Sequence, residues 1–210
     1  MNTPQQTLEE LQHIKKMMER SSRFISLSGL SGIAAGICAL AGAWFAGQKI
    51  NCWVKGDCQL GRVIESGGRP LLNELFWIAT LTFVAAFTLA FLFTFLRSKK
   101  TGATLWGNTT MRLLWNTALP LIAGAIFLFR MLQLAQYDLI APGCLIFYGL
   151  ALINGSKYTL GEIKYLGYGM LLLGIINLWF VGFGLHFWAM GFGVLHIVYG
   201  VVMWSKYERK

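Results

Sequence analysis

Residues 71–96 read LLNELFWIATLTFVAAFTLAFLFTFL, an apolar run whose single charged residue is Glu74. A helix needs about 20 apolar residues to cross a hydrocarbon core of roughly 30 Å, so this run can cross a bilayer with some tilt. Lipid offers no hydrogen bonds to backbone N–H and C=O groups, so a spanning segment must be a helix or part of a closed barrel. The run therefore predicts a transmembrane helix.

Further apolar segments lie between residues 24 and 204, and together with this helix they predict a bundle. We predict six spans, at 24–45, 71–96, 113–134, 139–153, 165–181 and 185–204. The stretch from Tyr165 to Trp204 is two membrane thicknesses long, so Gly182, Phe183 and Gly184 must form a turn. The predicted fold class is all-α, a polytopic transmembrane bundle of six helices at 24–204. An outer loop at 46–70 and a cytoplasmic tail at 205–210 complete the layout.

The composition supports this fold class. The chain has 210 residues, of which 56% are hydrophobic and 13% charged, and its mean hydropathy is +0.56. A soluble domain has about 25% charged residues. The excess of 18 Lys and Arg over 9 Asp and Glu would indicate nucleic acid in a soluble protein. Here the basic residues concentrate in the segments predicted on one side of the membrane. We therefore predict that the partner is the lipid bilayer and not nucleic acid.

Residues 1–23 are predicted to form a cytoplasmic amphipathic helix. Leu8, Leu11, Ile14 and Met18 recur at helical spacing, and charged residues occupy the other side. Such a helix lies on a membrane surface or contacts a protein partner, here through residues 3–20; a solvated lead-in helix is the alternative. No small-residue cleavage site follows a short apolar core, so we expect the first span to be an uncleaved anchor.

Three glycines share one face of the first span. Gly32 and Gly36 form a GxxxG pair, and Gly29 lies one turn earlier. Small residues at this spacing let two helices approach closely. Packing inside the chain is the favoured interpretation, and a homo-oligomer interface is the alternative.

The basic residues indicate the orientation. With the N-terminus inside and six spans, 13 of the 18 Lys and Arg lie in inside segments: Lys15, Lys16, Arg20, Arg23, Arg97, Lys99, Lys100, Arg112, Lys157, Lys164, Lys206, Arg209 and Lys210. The outside segments hold Lys49, Lys55, Arg62, Arg69 and Arg130. This bias predicts that both termini are cytoplasmic, because Lys and Arg concentrate in cytoplasmic segments.

The outer loop contains Cys52 and Cys58. An oxidising compartment would allow a disulfide between them. Free thiols are the alternative, and no neighbouring His or third Cys indicates a metal site.

Ionisable and amide side chains within the spans are candidates for binding a ligand or an ion, because burying them in lipid is costly. Glu74, Arg130 and Asp138 are predicted at one membrane level, where they could form a polar cluster at the outer mouth; alternatively, Arg130 and Asp138 pair to fix a hairpin. The other candidates are His186, His196, Asn116 and Asn177. For His196 a structural hydrogen bond and a proton relay or pH sensor are both open.

No catalytic residue, metal site or cofactor is predicted. The sequence has no HExxH, CxxC, GxSxG or phosphate-binding loop, and its GxG pairs have no third glycine or preceding strand. The spacing of His186 and His196 prevents one metal ion or haem from being held by both. These absences disfavour an enzyme without excluding one.

Residues 19–32, ERSSRFISLSGLSG, resemble a segment of a family of small uncharacterised bacterial polytopic membrane proteins. The distinctive similarity covers residues 1–45; the rest matches only in its pattern of spans. Members of that family are often encoded beside a winged-helix transcription regulator. The resemblance implies a bacterial inner membrane location and a role in sensing or regulation, but no particular functional residue.

Three functions stay open at this stage. We favour a non-enzymatic sensing or regulatory membrane module with a cytoplasmic partner. A small transporter or channel is the alternative, with His196 on its path. A membrane-embedded enzyme or cofactor-binding protein is the third.

Overall fold

The protein, described here by a computed structural model over residues 28–55, 70–101 and 107–209, consists of helices in that part of the chain. They are α1 (Gly29–Lys55), α2 (Pro70–Thr101), α3 (Asn108–Gln133), α4 (Ile140–Gly155), α5 (Ile163–Asn177) and α6 (Gly184–Tyr207). Helix α6 includes a π-helical segment, Ala189–Leu195. Short 3₁₀ turns, Tyr137–Leu139 and Ser156–Tyr158, flank α4. The predicted amphipathic helix at 1–23 lies outside the described residues.

These helices have the lengths of membrane spans. Within the residues that the structure describes, five helical stretches are long and apolar enough to cross a bilayer: Gly29–Lys55, Leu71–Lys100, Asn108–Gln133, Tyr137–Tyr158 and Gly184–Tyr207. The remaining helix, α5, is apolar but has only 15 residues, which is about 23 Å of helix. The all-α bundle is thereby confirmed, and the helices are those of a multi-pass membrane protein.

The boundaries differ from the prediction mainly after the first span. We predicted a loop from residue 46, but α1 continues to Lys55. In this extension the Lys49 ammonium lies 3.2 Å from the Glu74 carboxylate near the start of α2. Hydropathy indicates where apolar side chains end, whereas the backbone hydrogen-bond ladder continues through polar residues. The predicted turn between α5 and α6 contains Gly182, whose φ of +85° favours glycine.

The helices pack in a defined order. Helix α1 lies between α2 and α6, and α4 packs against both α3 and α5. Helix α6 joins the two groups, because it contacts α1 on one side and α4 and α5 on the other. Helices α2 and α3 therefore lie at opposite edges, with α6 at the centre.

Glycines form the contact surfaces between these helices. A Cβ added to Gly36 of α1 would meet the Gly193 carbonyl oxygen at 2.7 Å, and one added to Gly200 of α6 would meet the Gly29 carbonyl oxygen at 2.6 Å. Between α4 and α5, a Cβ on Gly149 would lie 2.8 Å from the Gly167 oxygen. The glycine face of α1 is thus used inside the chain, where it packs against α6.

The distribution of large side chains matches a lipid environment. Phe83 and Phe87 on α2 are 69% and 64% exposed, while the buried residues of α1 are all Gly, Ala or Ser. A water-soluble protein rarely exposes apolar surface on this scale. Exposed aromatic side chains, together with small residues where α1 meets its neighbours, suit a bundle whose outer surface faces acyl chains.

Both ends of the described chain lie at one end of the bundle. The Ser28 hydroxyl donates to the two carboxylate oxygens of Glu208 at 3.2 and 3.3 Å. Chain ends that meet in this way require an even number of passes through the bundle. We call this end, where α1 begins and α6 ends, the Glu208 face.

Candidate functional site

The π-helical segment of α6 is the main irregularity in the bundle. It covers Ala189–Leu195 and includes Gly191 and Gly193, which are both buried. The Gly191 backbone packs against the side chains of Leu145 and Met170, and Gly193 packs against Leu40. Such π-helical turns interrupt the regular ladder and occur frequently at functional sites. Here the segment lies midway along α6, where its neighbours are α1, α4 and α5.

His196 follows the π-helical segment and is only 7% exposed. Its Nδ1 lies 3.0 Å from the Gly191 carbonyl oxygen, and its Nε2 lies 3.0 Å from the Tyr148 hydroxyl of α4. A carbonyl oxygen can only accept, so Nδ1 must carry a proton and donate it. In the neutral ring Nε2 is then the acceptor, and Tyr148 is its donor. The bonding pattern thus assigns one tautomer and links α6 to α4.

A second proton on His196 would reverse one of these bonds. With both ring nitrogens protonated, Nε2 would donate to the Tyr148 oxygen, and the hydroxyl proton of Tyr148 would have to turn to another acceptor. Tyr199, one turn further along α6, has a buried hydroxyl without a hydrogen-bond partner in the described structure. Protonation of His196 would therefore break the hydrogen bond that Tyr148 donates to it. We call Tyr148, His196 and Tyr199 the buried polar cluster.

Aromatic rings enclose His196. The Phe192 ring stacks on the imidazole at a centroid distance of 5.9 Å, and the Tyr148 ring lies at 5.5 Å. Trp188 packs on Phe192 at 5.0 Å. These rings keep lipid and bulk water away from the imidazole. The two hydrogen bonds at its nitrogens fix the orientation of the ring.

A second polar cluster lies at the Glu208 face. The Glu208 carboxylate accepts from the backbone N–H of Gly29 at 2.5 Å and pairs with the Arg97 guanidinium at 2.5 Å. A carboxylate at a helix N-terminus satisfies a free N–H group and interacts favourably with the helix dipole. The end of α6 is thus tied to the start of α1 and to the end of α2. We call Glu208, Arg97, Ser28 and Gly29 the terminal joint.

Glu162, in the turn before α5, also binds the end of α6. It accepts from the Lys206 ammonium at 2.5 Å and from the Tyr207 hydroxyl at 2.8 Å. Burial alone would raise the pKa of the Glu162 carboxyl, but these hydrogen bonds outweigh it and hold the pKa below its ordinary value. The Glu162 carboxylate is therefore a fixed negative charge at neutral pH.

The predicted outer cluster of Glu74, Arg130 and Asp138 is not assembled. Glu74 lies beside Lys49, while Arg130 donates to the Gln133 side chain at 3.1 Å. Asp138 lies exposed in a 3₁₀ turn. The two helices concerned, α2 and α3, occupy opposite edges of the bundle, so the three side chains share a level but not a site.

The amide candidates have structural partners. Asn116 Nδ2 donates to the Arg112 carbonyl oxygen of its own helix at 2.8 Å, and Asn177 Nδ2 donates to the Phe180 carbonyl oxygen at 3.3 Å. Asn177 Oδ1 is buried without a hydrogen-bond partner in the described structure. Asn154, which is not among these candidates, donates from Nδ2 to the Asn116 carbonyl oxygen at 2.8 Å.

The other candidates lie apart from the buried polar cluster. His186 is exposed near the start of α6, beside the Phe183 ring. Cys52, near the end of α1, is disulfide-bonded, and the predicted partner Cys58 lies outside the described residues. Within the described segments no three His, Cys, Asp or Glu side chains converge where a metal ion could sit.

Sequence reasoning identified His196 but missed Tyr148 and Glu208. Tyr148 lies in an apolar helix, where tyrosine usually indicates only packing or an interface position. Glu208 lies in a charged tail that resembles a solvated end. Their roles depend on which helices pack together. The sequence alone does not show that α4 and α1 both pack against α6.

The fold and these two clusters define a helical membrane bundle with a buried histidine–tyrosine pair. No known family model, curated protein or solved structure is similar enough to the chain to match it.

Proposed function

We propose that the chain is a non-enzymatic sensing or regulatory membrane module that contacts a cytoplasmic partner through residues 3–20. The observation that carries the proposal is the terminal joint, where Glu208 holds the first described N–H group of α1. The N-terminal segment enters the bundle at this joint. A movement of α6 would therefore be transmitted to the segment that meets the partner.

The contacts along α6 support a path for such a movement. The buried polar cluster holds the π-helical segment through Gly191, and Gly193 in that segment packs against Gly36 of α1. Further along, Gly200 contacts Gly29, and Glu208 then binds the N–H group of Gly29. A change of register in the π-helical segment would shift these contacts together. The element that changes state would be α6, and α1 would carry the change outward.

We place the module in a bacterial inner membrane with the Glu208 face in the cytoplasm. Most basic residues of the described chain lie at this face: Arg97, Lys99, Lys100, Arg112, Lys157, Lys164, Lys206 and Arg209. This distribution supports a cytoplasmic face. The disulfide-bonded Cys52 lies at the other end of α1, as expected for an oxidising outer compartment.

The proposal is tested by complementation. Host cells that lack the protein receive the full chain, a variant without residues 3–20, or Glu208→Gln. We expect cells with the truncated variant to have the same transcript and protein-abundance profile as cells without the protein. The truncated variant should still reach the membrane and have the melting temperature of the full chain. Glu208→Gln should give an intermediate profile, because a neutral amide holds the terminal joint more weakly.

Two results would contradict the proposal. One is full complementation by the variant without residues 3–20. The other is ion or proton flux through purified protein in liposomes that disappears in His196→Ala, because this would favour a transporter. Tyr168→Phe, a change at an exposed position of α5, serves as the control in both assays.

A further inference from the structure

A groove lies on the outer surface of the bundle between α3 and α4. It has a volume of about 460 Å³, within the range of small-molecule sites. Its wall is apolar over most of its length, and its polar end is formed by Asn154 and Lys157. The apolar lining residues are Leu119, Pro120, Ala123, Phe147, Leu150 and Ile153.

The backbone beneath this groove has a defect that the structure repairs. Pro120 has no N–H group, so the Asn116 carbonyl oxygen, four residues earlier, loses its partner within α3. Asn154 Nδ2 donates to this oxygen at 2.8 Å. The polar atoms of the wall are thereby satisfied, which hydrocarbon requires of any surface that it covers. The groove can therefore accept an acyl chain without leaving this carbonyl group unpaired.

The length of the groove matches one leaflet. Its lining extends along α4 and into the following 3₁₀ turn, from Phe147 to Lys157, a span of ten residues, which is about 15 Å. Half of a hydrocarbon core of roughly 30 Å is the same length. The groove starts at the Glu208 face, where α4 ends, and stops near the middle of the bundle.

The charge at the polar end specifies the occupant. Lys157 is exposed in the 3₁₀ turn that follows α4, and no hydrogen bond or ion pair joins it to an acidic side chain of the described chain. An ammonium group at the level of lipid headgroups attracts anionic phosphates. We propose that this groove binds one acyl chain of an anionic phospholipid, whose phosphate contacts Lys157. This is a lipid site that is separate from the buried polar cluster.

The test uses native mass spectrometry of the full chain in detergent. Phosphatidylglycerol and phosphatidylcholine with identical acyl chains are titrated separately. We expect phosphatidylglycerol to bind about fivefold more tightly, the weight of one lysine near an anionic headgroup. Lys157→Gln should remove this preference, whereas Lys164→Gln, a lysine at the same face but outside the groove, should retain it.

The groove itself is tested by a matched pair of substitutions. Ala123→Phe fills the apolar part and should weaken binding of both lipids. Ala125→Phe is its control, because Ala125 is exposed on α3 but does not line the groove. The proposal is overturned if both lipids bind the full chain equally, if Lys164→Gln acts like Lys157→Gln, or if Ala123→Phe leaves binding unchanged. None of these outcomes depends on the role of residues 3–20.

Discussion

The effect of a single residue is clearest at Pro120. Its missing N–H group leaves the Asn116 carbonyl oxygen to be satisfied by another helix, and Asn154 supplies the donor. Asn154 is thus a structural partner of the proline, and its amide fixes the register between α3 and α4.

This relation predicts a non-additive pair of substitutions. Asn154→Leu should lower the free energy of unfolding by about 1–2 kcal/mol, the upper range for an interhelical hydrogen bond in a membrane. In a Pro120→Ala background the loss should be smaller, because the new N–H group can reach the Asn116 oxygen. Unfolding in detergent micelles measures both, with Asn73→Leu at an exposed position as the control. Equal costs in the two backgrounds would contradict this explanation.

A second prediction at this scale concerns the tautomer of His196. The nitrogen chemical shifts of its ring should report a neutral imidazole protonated at Nδ1, because the Gly191 carbonyl oxygen can only accept. Tyr148→Phe should destabilise the protein by about 1–3 kcal/mol, because it leaves Nε2 buried without a donor. Tyr168→Phe should have little effect on stability. A ring protonated only at Nε2 would overturn the assignment.

The Glu162 carboxylate gives a prediction of pH dependence. Its pKa is lower in the folded protein than in the unfolded chain, so the unfolded chain binds the proton more readily. The ion pair therefore contributes fully above the unfolded pKa of about 4.3. That contribution is lost as the pH falls through the lower folded value. Glu162→Gln should accordingly flatten the fall in melting temperature below about pH 5.

The same measurement has a matched pair of lysine variants. Lys206→Gln removes the charged partner of Glu162. It should also flatten the fall in melting temperature at acid pH, here called the acid limb. Lys164→Gln lies at the same face, where its ammonium contacts the Tyr165 ring, and should leave the limb unchanged. An acid limb that is identical in Glu162→Gln and the unmodified chain would disprove this role of Glu162.

At the scale of helices, the contact of α1 with α6 determines the architecture. A Cβ on Gly200 would lie 2.6 Å from both the Gly29 oxygen and the Ile33 nitrogen. Gly200→Ala should therefore force the helices apart and cost about 1–3 kcal/mol, as other overpacked sites do. Gly161→Ala is the control, because nothing lies within 4 Å of its added Cβ. Equal melting temperatures for these variants would contradict the close contact.

The helices were predictable from the sequence to different degrees. The run at 71–96 specifies α2 by composition alone, because lipid leaves few alternatives to a helix. The extension of α1 to Lys55 was missed, because Gln48, Lys49 and Asn51 interrupt the apolar run and Lys49 pairs with Glu74 of α2. The π-helical segment was also missed. Its two glycines permit it, but the contacts of Gly191 with Leu145 and Met170 arise only in the packed bundle.

The candidate site was predictable only in part for the same reason. His196 is conspicuous as an ionisable residue in an apolar helix. Its partner Tyr148 is 48 residues away, and Glu208 is 179 residues from the N–H group that it binds. Pairings at these distances follow from helix packing rather than from local pattern.

In the whole molecule, the two ends of the bundle must lie on opposite sides of a membrane for the proposed roles to hold. Val54, near the end of α1, is 80% exposed and lies at the end of the bundle opposite the Glu208 face. Arg209 is exposed beside Glu208 and belongs to the other end. The proposed lipid site and the proposed contact with a cytoplasmic partner both depend on this arrangement.

Thiol labelling of intact cells tests it directly. A membrane-impermeant maleimide is applied to cells that carry Val54→Cys or Arg209→Cys, with the unmodified chain as the control for native cysteines. We predict that Val54→Cys is labelled in intact cells and that Arg209→Cys is labelled only after the cells are permeabilised. Labelling of Arg209→Cys in intact cells would contradict this membrane arrangement. Recovery of the chain in the soluble fraction of cells lysed without detergent would also contradict it.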